Sequence, residues 1–187
     1  EVKRAAQAAI VLRTQPDRVV QCLANPGFEP SSDKTPADLA KRAAPPGWGV
    51  WFRPGTPGQG GAHAKAARSG KCGFVLRGAE ASCALQSVPV RPGETYLASV
   101  YVRGKTSPQA EGKLVVQWKD AAGKWLSGAG QRADQLPAGG TSQWRRLCVL
   151  VEVPPKAGQL VFCVSAYGQG SDDELQADDA SLQRIPK

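Results

Sequence analysis

The chain's 187 residues suffice for one ample domain, or one domain with a tail, with a core that needs no staples. Its net charge of +8 is scattered almost evenly, dense only at residues 41–42 and 145–146, with no basic helix, recognition motif or Cys/His finger, which argues against nucleic acid and leaves an acidic glycan open. No apolar run approaches the ~18 residues of a membrane-spanning helix. No secretion signal opens the chain, and it starts at Glu1 without Met, so a processed or excised piece is expected.

With 21 Gly and 15 Pro, breakers recur all along the chain, which favours short strands joined by turns over long helices. Residues 1–18 stand outside the main pattern and read as a leading segment or linker, or as a strand lent to a neighbouring domain. From Val19 onward the β signals dominate. "VVQCLANPGF" reads as a first strand and turn, 31–47 as a loop with room for one helical turn, and "WGVWF" (48–52) as a second strand. Residues 53–70 form a long loop of small residues. Closely spaced strands are predicted at 71–77, 82–90, 95–103, 113–120, 145–153, 159–167 and 180–185, most of them separated by turn chemistry such as "RPGE", "DAAGK" and "YGQGSDD".

This pattern predicts an all-β fold, an antiparallel β-sandwich of the jelly-roll kind, over residues 19–187. Pro89 marks an edge or a bulge in its strand. The two-residue period assigns Tyr96, Ala98, Val100 and Val102 to one face, and Leu97, Ser99, Tyr101 and Arg103 to the other. In the same way Leu114, Val116 and Trp118 oppose Lys113, Val115, Gln117 and Lys119.

Taken in order, "LANPGFE", "PGWGVW", "SGKCGFVLRG", "LQSVPVRPGETYLASVYVR", "LVVQWKDAAGKWL", "WRRLCVLVEVPPKAGQLVFCVSAYG" and "ADDASLQRI" resemble the carbohydrate-binding modules of the galactose-binding-like β-sandwich group, close to families 4/9, 16 and 22. The resemblance spans roughly residues 19–185. It implies the fold more strongly than it implies sugar binding, because the same sandwich also serves as a spacer or protein-binding module. It further implies a structural Ca²⁺ on Glu29, on Asp178 or Asp179, and on backbone carbonyls around Ser69 to Lys71. Calcium takes about six to eight hard oxygen ligands in flexible geometry, which suits such a set. The plainer reading is that these acids are solvated turn residues or pair with nearby Lys.

The function implied is a non-catalytic module, a monomer tethered to a glycoside hydrolase or polysaccharide lyase. It would bind a polysaccharide or oligosaccharide, and neither nucleic acid nor membrane, in a secreted, cell-surface or periplasmic setting in bacteria. The alternative is a structural or protein-binding sandwich domain of a larger exported protein. A free-standing lyase is the weakest reading, because acid–base residues are scarce. His63 is the only His and sits in a Gly/Ala-rich loop. Ser127 lacks the preceding Gly of a nucleophile elbow, "RSGKCG" fails as a phosphate loop and "PGQGGAH" as a dinucleotide fingerprint, and Asp172 and Asp173 form no recognisable dyad.

Sugar binding needs an aromatic platform and planar polar groups. Of the five Trp, Trp48 and Trp118 are assigned to the core and Trp144 to the sandwich edge. Trp51 is the first choice of platform and Trp125 the second. Tyr101, Arg103 and Gln117 lie on non-core faces and would form one patch if their strands are neighbours. With Lys113 and Lys119 alongside, that patch would favour a uronate-containing or sulfated polysaccharide. The five cysteines read either as small buried hydrophobes or as one or two disulfides with an odd thiol. For the second case the pairings are Cys148 with Cys163, or Cys83 with Cys148 and Cys72 with Cys163, leaving Cys22 free.

Overall fold

The structure, a computed structural model, describes residues 20–31 and 38–186. The expected leading segment, 1–18, lies outside the described residues. Two antiparallel sheets face each other. Sheet A runs β3 (Gln59–His63), β4 (Gly73–Arg77), β11 (Glu174–Ile185), β6 (Thr95–Lys105), β9 (Gly140–Glu152), and β1 (Val20–Gln21) also pairs with β11. Sheet B runs β2 (Gly49–Phe52), β5 (Ala81–Pro89), β10 (Gln159–Tyr167), β7 (Glu111–Lys119), β8 (Arg132–Gln135).

Strand periodicity sets which side chains meet between the sheets. Tyr96, Ala98, Val100 and Val102 of β6 face Leu114, Val116 and Trp118 of β7 and Leu160, Phe162 and Val164 of β10 across one core. Phe28, Trp48, Phe74 and Phe162 gather at its centre, with ring centroids 4.4 Å apart for Phe28–Trp48, 5.6 Å for Phe28–Phe74 and 5.9 Å for Trp48–Phe162. Large buried rings of this kind contribute roughly 2–3 kcal/mol each through transfer from water alone.

The chain changes sheet at most of its connections. β4 to β5, β5 to β6, β6 to β7, β8 to β9, β9 to β10 and β10 to β11 all cross, while β3–β4 and β7–β8 stay within one sheet. Two of the crossings are tied together by Asp173. Its carboxylate accepts from the Ser107 amide at 2.7 Å, the Ser107 hydroxyl at 2.6 Å and the Gly170 amide at 2.8 Å. Burial pushes the Asp173 carboxyl up, but these hydrogen bonds, with Lys105 nearby, bring it below the ordinary range.

Two strands were missed by the sequence pattern, and two start earlier than expected. β3 falls within the stretch read as a loop of small residues, because Gln-Gly-Gly-Ala-His has little strand propensity. Glycine is required there by contact, since a Cβ on Gly60 would meet the Phe52 ring at 2.9 Å and the Val75 carbonyl at 2.9 Å. β8 is short and polar, and its register against β7 (Lys113↔Gln135, Val116↔Arg132) identifies it. β9 begins at Gly140 and β11 at Glu174, in stretches whose polar residues hide the period. Pro89 ends β5 beyond Leu85, where the pairing with β2 stops.

Replacing Asp173 by Asn should lower stability at neutral pH by about 2 kcal/mol, the worth of a buried charge-assisted bond. A carboxyl depressed in the folded state stabilises above its unfolded pKa, and that stabilisation is lost as pH falls through its folded pKa. The difference between wild type and variant in urea unfolding should therefore be full at pH 7 and shrink progressively on acidification below the ordinary Asp range.

Candidate functional site

The turn "NPGFE" is built by hydrogen bonds within itself. The Asn25 side chain donates to the Glu29 carbonyl at 2.8 Å and accepts from the Glu29 amide at 2.9 Å, while the Asn25 carbonyl accepts from the Trp48 indole at 2.9 Å. Asn25 and Phe28 take positive φ, 44° and 53°. The turn drives the Phe28 ring into the core and leaves the Glu29 carboxylate outside.

Glu29 accepts from the Lys71 amide at 3.0 Å on one oxygen and 3.2 Å on the other. Asp178, with no exposed surface, accepts on Oδ2 from the amides of Arg68 (2.6 Å) and Ser69 (2.9 Å), and on Oδ1 from Asp179 (2.7 Å). Burial raises the Asp178 carboxyl above its ordinary value, against the pull of those three amides. Asp179, at φ 48°, is bound by the Arg68 guanidinium and the Ser69 hydroxyl.

Glu29, residues 68–71 and the Asp178–Asp179 pair therefore meet, although they lie far apart in the chain. The loop meets the two carboxylates through its N–H groups at Arg68, Ser69 and Lys71. A carboxylate has about four acceptor sites. Oδ2 of Asp178 is filled, while Oδ1 of Asp178 and both Glu29 oxygens keep capacity. A Cβ on Gly27 would lie 3.6 Å from Glu29 Oε1 and 4.0 Å from Asp178 Oδ1, so the missing side chain leaves a space facing both. The loop turns its N–H groups, not the expected carbonyls, toward the two acids. Among the described residues no group of three or more His, Cys, Asp or Glu is placed to hold a metal ion, so a hard cation would have only the remaining oxygen capacity of Glu29 and Asp178 to use.

The other sequence-selected residues divide between two surfaces. Tyr101 and Arg103 lie on the outer side of sheet A, in β6, whereas Trp51 and Gln117 lie on the outer side of sheet B, in β2 and β7. The single patch expected of Tyr101, Arg103 and Gln117 is thus not formed, because the β6–β7 connection changes sheet. Lys113 and Lys119 go with Gln117 and leave Arg103 behind.

On sheet A the aromatic faces are covered. The Arg68 guanidinium stands 3.6 Å from the Tyr101 ring centroid, and that of Arg103 stands 4.6 Å from Trp144. Trp144 sits within β9 under this cation. Trp48 and Trp118 are buried in the core, as their faces suggested.

On sheet B, Val115, Val161 and Cys163 form a buried apolar strip with Cys83 and Leu85 packed against it. Trp51 is 46% exposed at one margin, on β2 opposite Cys83. Toward the other margin, the loop after β7 returns Trp125 to Lys119 as a bridge pair. Gln117, Trp125 and Gln131 then line a cleft of about 430 Å³. The Gln117 amide donates to Gln131 at 3.1 Å, and the Lys119 ammonium lies 4.5 Å from the Trp125 ring centroid. Trp125 is 51% exposed and also borders a second cleft, of about 710 Å³, with Asp120, Lys124 and Lys156. The sequence offered no signal for Gln131, which reaches Gln117 only because the chain folds back after β7.

None of the considered disulfide pairs is brought together. Cys83 and Cys163 share the outer side of sheet B, Cys148 is exposed on sheet A, and Cys72 is buried just before β4. Among the described residues no two cysteines form a disulfide. Cys163 donates its S–H to Cys83, which lowers the Cys83 thiol, with burial opposing.

No family model and no curated protein matches the chain. Solved structures do. TmCBM61, solved with β-1,4-galactotriose, is 18% identical, with a TM-score of 0.55 over 89% of this chain and 99% of that one. The chain has the fold of the galactose-binding-like carbohydrate-binding modules. The CBM22-1 xylan-binding domain of Paenibacillus barcinonensis Xyn10C matches with 16% identity and a TM-score of 0.54, over 90% of this chain and 94% of that one. A cyclase from Fischerella sp. matches with 15% identity and a TM-score of 0.60, over 91% and 98%. One sandwich thus serves unlike functions, and function has to be argued from the site.

In native protein a water-soluble thiol reagent should modify Cys148 first, with Cys72 and Cys163 reacting only in denaturant. Peptide mapping after brief alkylation checks this, and an intact disulfide would appear as missing thiols in the denatured titration.

Proposed function

We propose that the chain is a non-catalytic carbohydrate-binding module that grips a polysaccharide on the outer side of sheet B and so holds an attached enzyme at its substrate. The observation that carries this reading is the Gln117–Gln131–Trp125 cleft, where an exposed indole stands beside two side-chain amides. Indole faces stack on the C–H face of a sugar ring, and planar amides match pairs of hydroxyls. Trp51 supplies a second exposed indole at the opposite margin of the same sheet, a spacing suited to an extended chain of sugars. The xylan-binding and galactotriose-bound modules of the same fold support the substrate class. Tethering raises the local concentration of an enzyme at a polymer without any chemistry in the module. Lys119 beside Trp125 suits an acidic polysaccharide.

The same reading includes calcium at the chain-end site, held by Glu29 and Asp178 with loop 68–71 around it. Bound there, the ion would supply the positive charge that the buried Asp178 carboxylate lacks, and its role would be structural.

Two measurements test these readings. Trp125→Ala should lower retention in polysaccharide affinity gels about tenfold, and Trp51→Ala less, since an aromatic stack is worth about 0.5–1.5 kcal/mol beyond its buried area. Binding to an acidic polysaccharide should weaken with salt through Lys119, whereas stacking should not. Unchanged retention in both variants would favour a protein-binding or spacer role. Calcium added to chelated protein should raise the melting temperature in proportion to the logarithm of its concentration. Gly27→Ala should reduce that response while leaving the chelated protein's melting temperature nearly unchanged. A melting curve indifferent to calcium and chelator removes the ion.

A further inference from the structure

We infer that sheet A carries a second binding site, one that takes the sulfate or carboxylate group of an acidic glycan chain. It is a cleft of about 650 Å³ lined by Arg77, Arg103, Lys105, Thr141, Ser142 and Gln176, with Glu174 and three glycines. The inference rests on the reading of the chain as a glycan binder, but the cleft is on the opposite side of the sandwich from the Gln117–Trp125 cleft and works independently of it.

Arg103 is held in place before any ligand arrives. Its Nε donates to the Gln176 side chain at 2.8 Å, one Nη2 hydrogen goes to the Lys65 carbonyl at 3.0 Å, and the guanidinium rests 4.6 Å from the Trp144 ring centroid. Nη1 makes no hydrogen bond among the described residues. A guanidinium fixed in this way loses little freedom on binding an oxyanion, and its fork matches sulfate and carboxylate oxygens.

Charge in the cleft is not balanced. The single lining carboxylate, Glu174, is already taken by Arg77 at 3.2 Å and by the Gln176 amide at 2.6 Å. Lys105 has no acid within ion-pair distance among the described residues. Two positive charges, on Arg103 and Lys105, therefore remain for a ligand.

The floor is bare backbone. Gly104 and Gly140 are forced by contact, because a Cβ on the first would fall on the Glu174 carbonyl and a Cβ on the second on the Gly104 carbonyl. Gly139 and Gly140 also hold positive φ, 82° and 75°. With no side chains over this floor, a polymer can lie across the strands while the Thr141 and Ser142 hydroxyls flank it.

The test compares affinity-gel retention in dextran and in sulfated dextran, with polygalacturonate as the carboxylate probe, at low salt. Lys105 is exposed and makes no ion pair among the described residues, only a longer-range attraction to Asp173. Lys105→Gln should therefore lower the melting temperature only slightly and weaken retention by sulfated dextran or polygalacturonate about tenfold, as expected for one charge-assisted contact. Arg103→Lys, which keeps the charge and loses the fork, should weaken it similarly. Inorganic sulfate should displace the polymer better than chloride at equal ionic strength. Unchanged retention in Lys105→Gln, no retention of wild type by either acidic polymer, or equal displacement by chloride overturns the site, the last by assigning binding to diffuse net charge. Trp125→Ala separates the two readings. Lost retention in neutral polysaccharide, with retention in the acidic polymers reduced but still displaced by inorganic sulfate, supports the independent site, while loss of both overturns it.

Discussion

Asp178 is a carboxylate without exposed surface, and the sandwich is arranged around its need for hydrogen-bond donors. It sits at a break in β11, where the register with β6 shifts between Asp178 and Ser181. Before the break β11 pairs with β4, and after it with β1. The amides of residues 68, 69 and 179 satisfy the acid, and the Ala180 amide donates to the Pro26 carbonyl at 2.9 Å. One irregular strand thereby fastens the segment around residues 20–26 and loop 68–71 to the last strand. A buried acid left short of donors costs several kcal/mol, so these contacts are strongly specified.

The same junction explains the turn at Asn25. A Phe in the left-handed region is unfavourable by about 1 kcal/mol or more. Burial of the Phe28 ring against Trp48 and Phe74 offsets that strain, and the turn leaves Glu29 beside loop 68–71. Core packing and the position of a charged group are thus two results of one local conformation.

Crossing connections decide the surface chemistry. Each crossing sends neighbouring stretches of sequence to opposite sides of the molecule, about 10 Å of core apart. Side chains that look like partners in the sequence are separated, and others meet across strands. On sheet A the aromatic rings are covered by arginines and the surface is cationic. On sheet B Trp51 and Trp125 are each about half exposed, Trp125 with the Gln117 and Gln131 amides beside it and the Lys119 ammonium 4.5 Å from its ring. A polar-aromatic alternation in the sequence is common to both surfaces, but the exposure of the rings sets them apart.

Composition and period fixed much in advance: an all-β sandwich, the buried rows of β6 and β7, and Trp48 and Trp118 in the core. These follow from local rules, since a two-residue alternation of apolar side chains has one low-energy outcome on a pleated strand. The order of motifs carried the fold group and brought Glu29, Ser69, Lys71, Asp178 and Asp179 forward as one cluster. Local rules gave no access to β3, whose glycines are chosen by contact with Phe52 and Val75, or to β8, whose polar residues show no period. They also could not assign Tyr101, Arg103 and Gln117 to their sides, or find Gln131 beside Gln117. Those facts depend on which sheet each connection enters and on which side chain covers which ring, and only the packed chain decides them, because contact energies between residues distant in sequence have no local pattern to betray them.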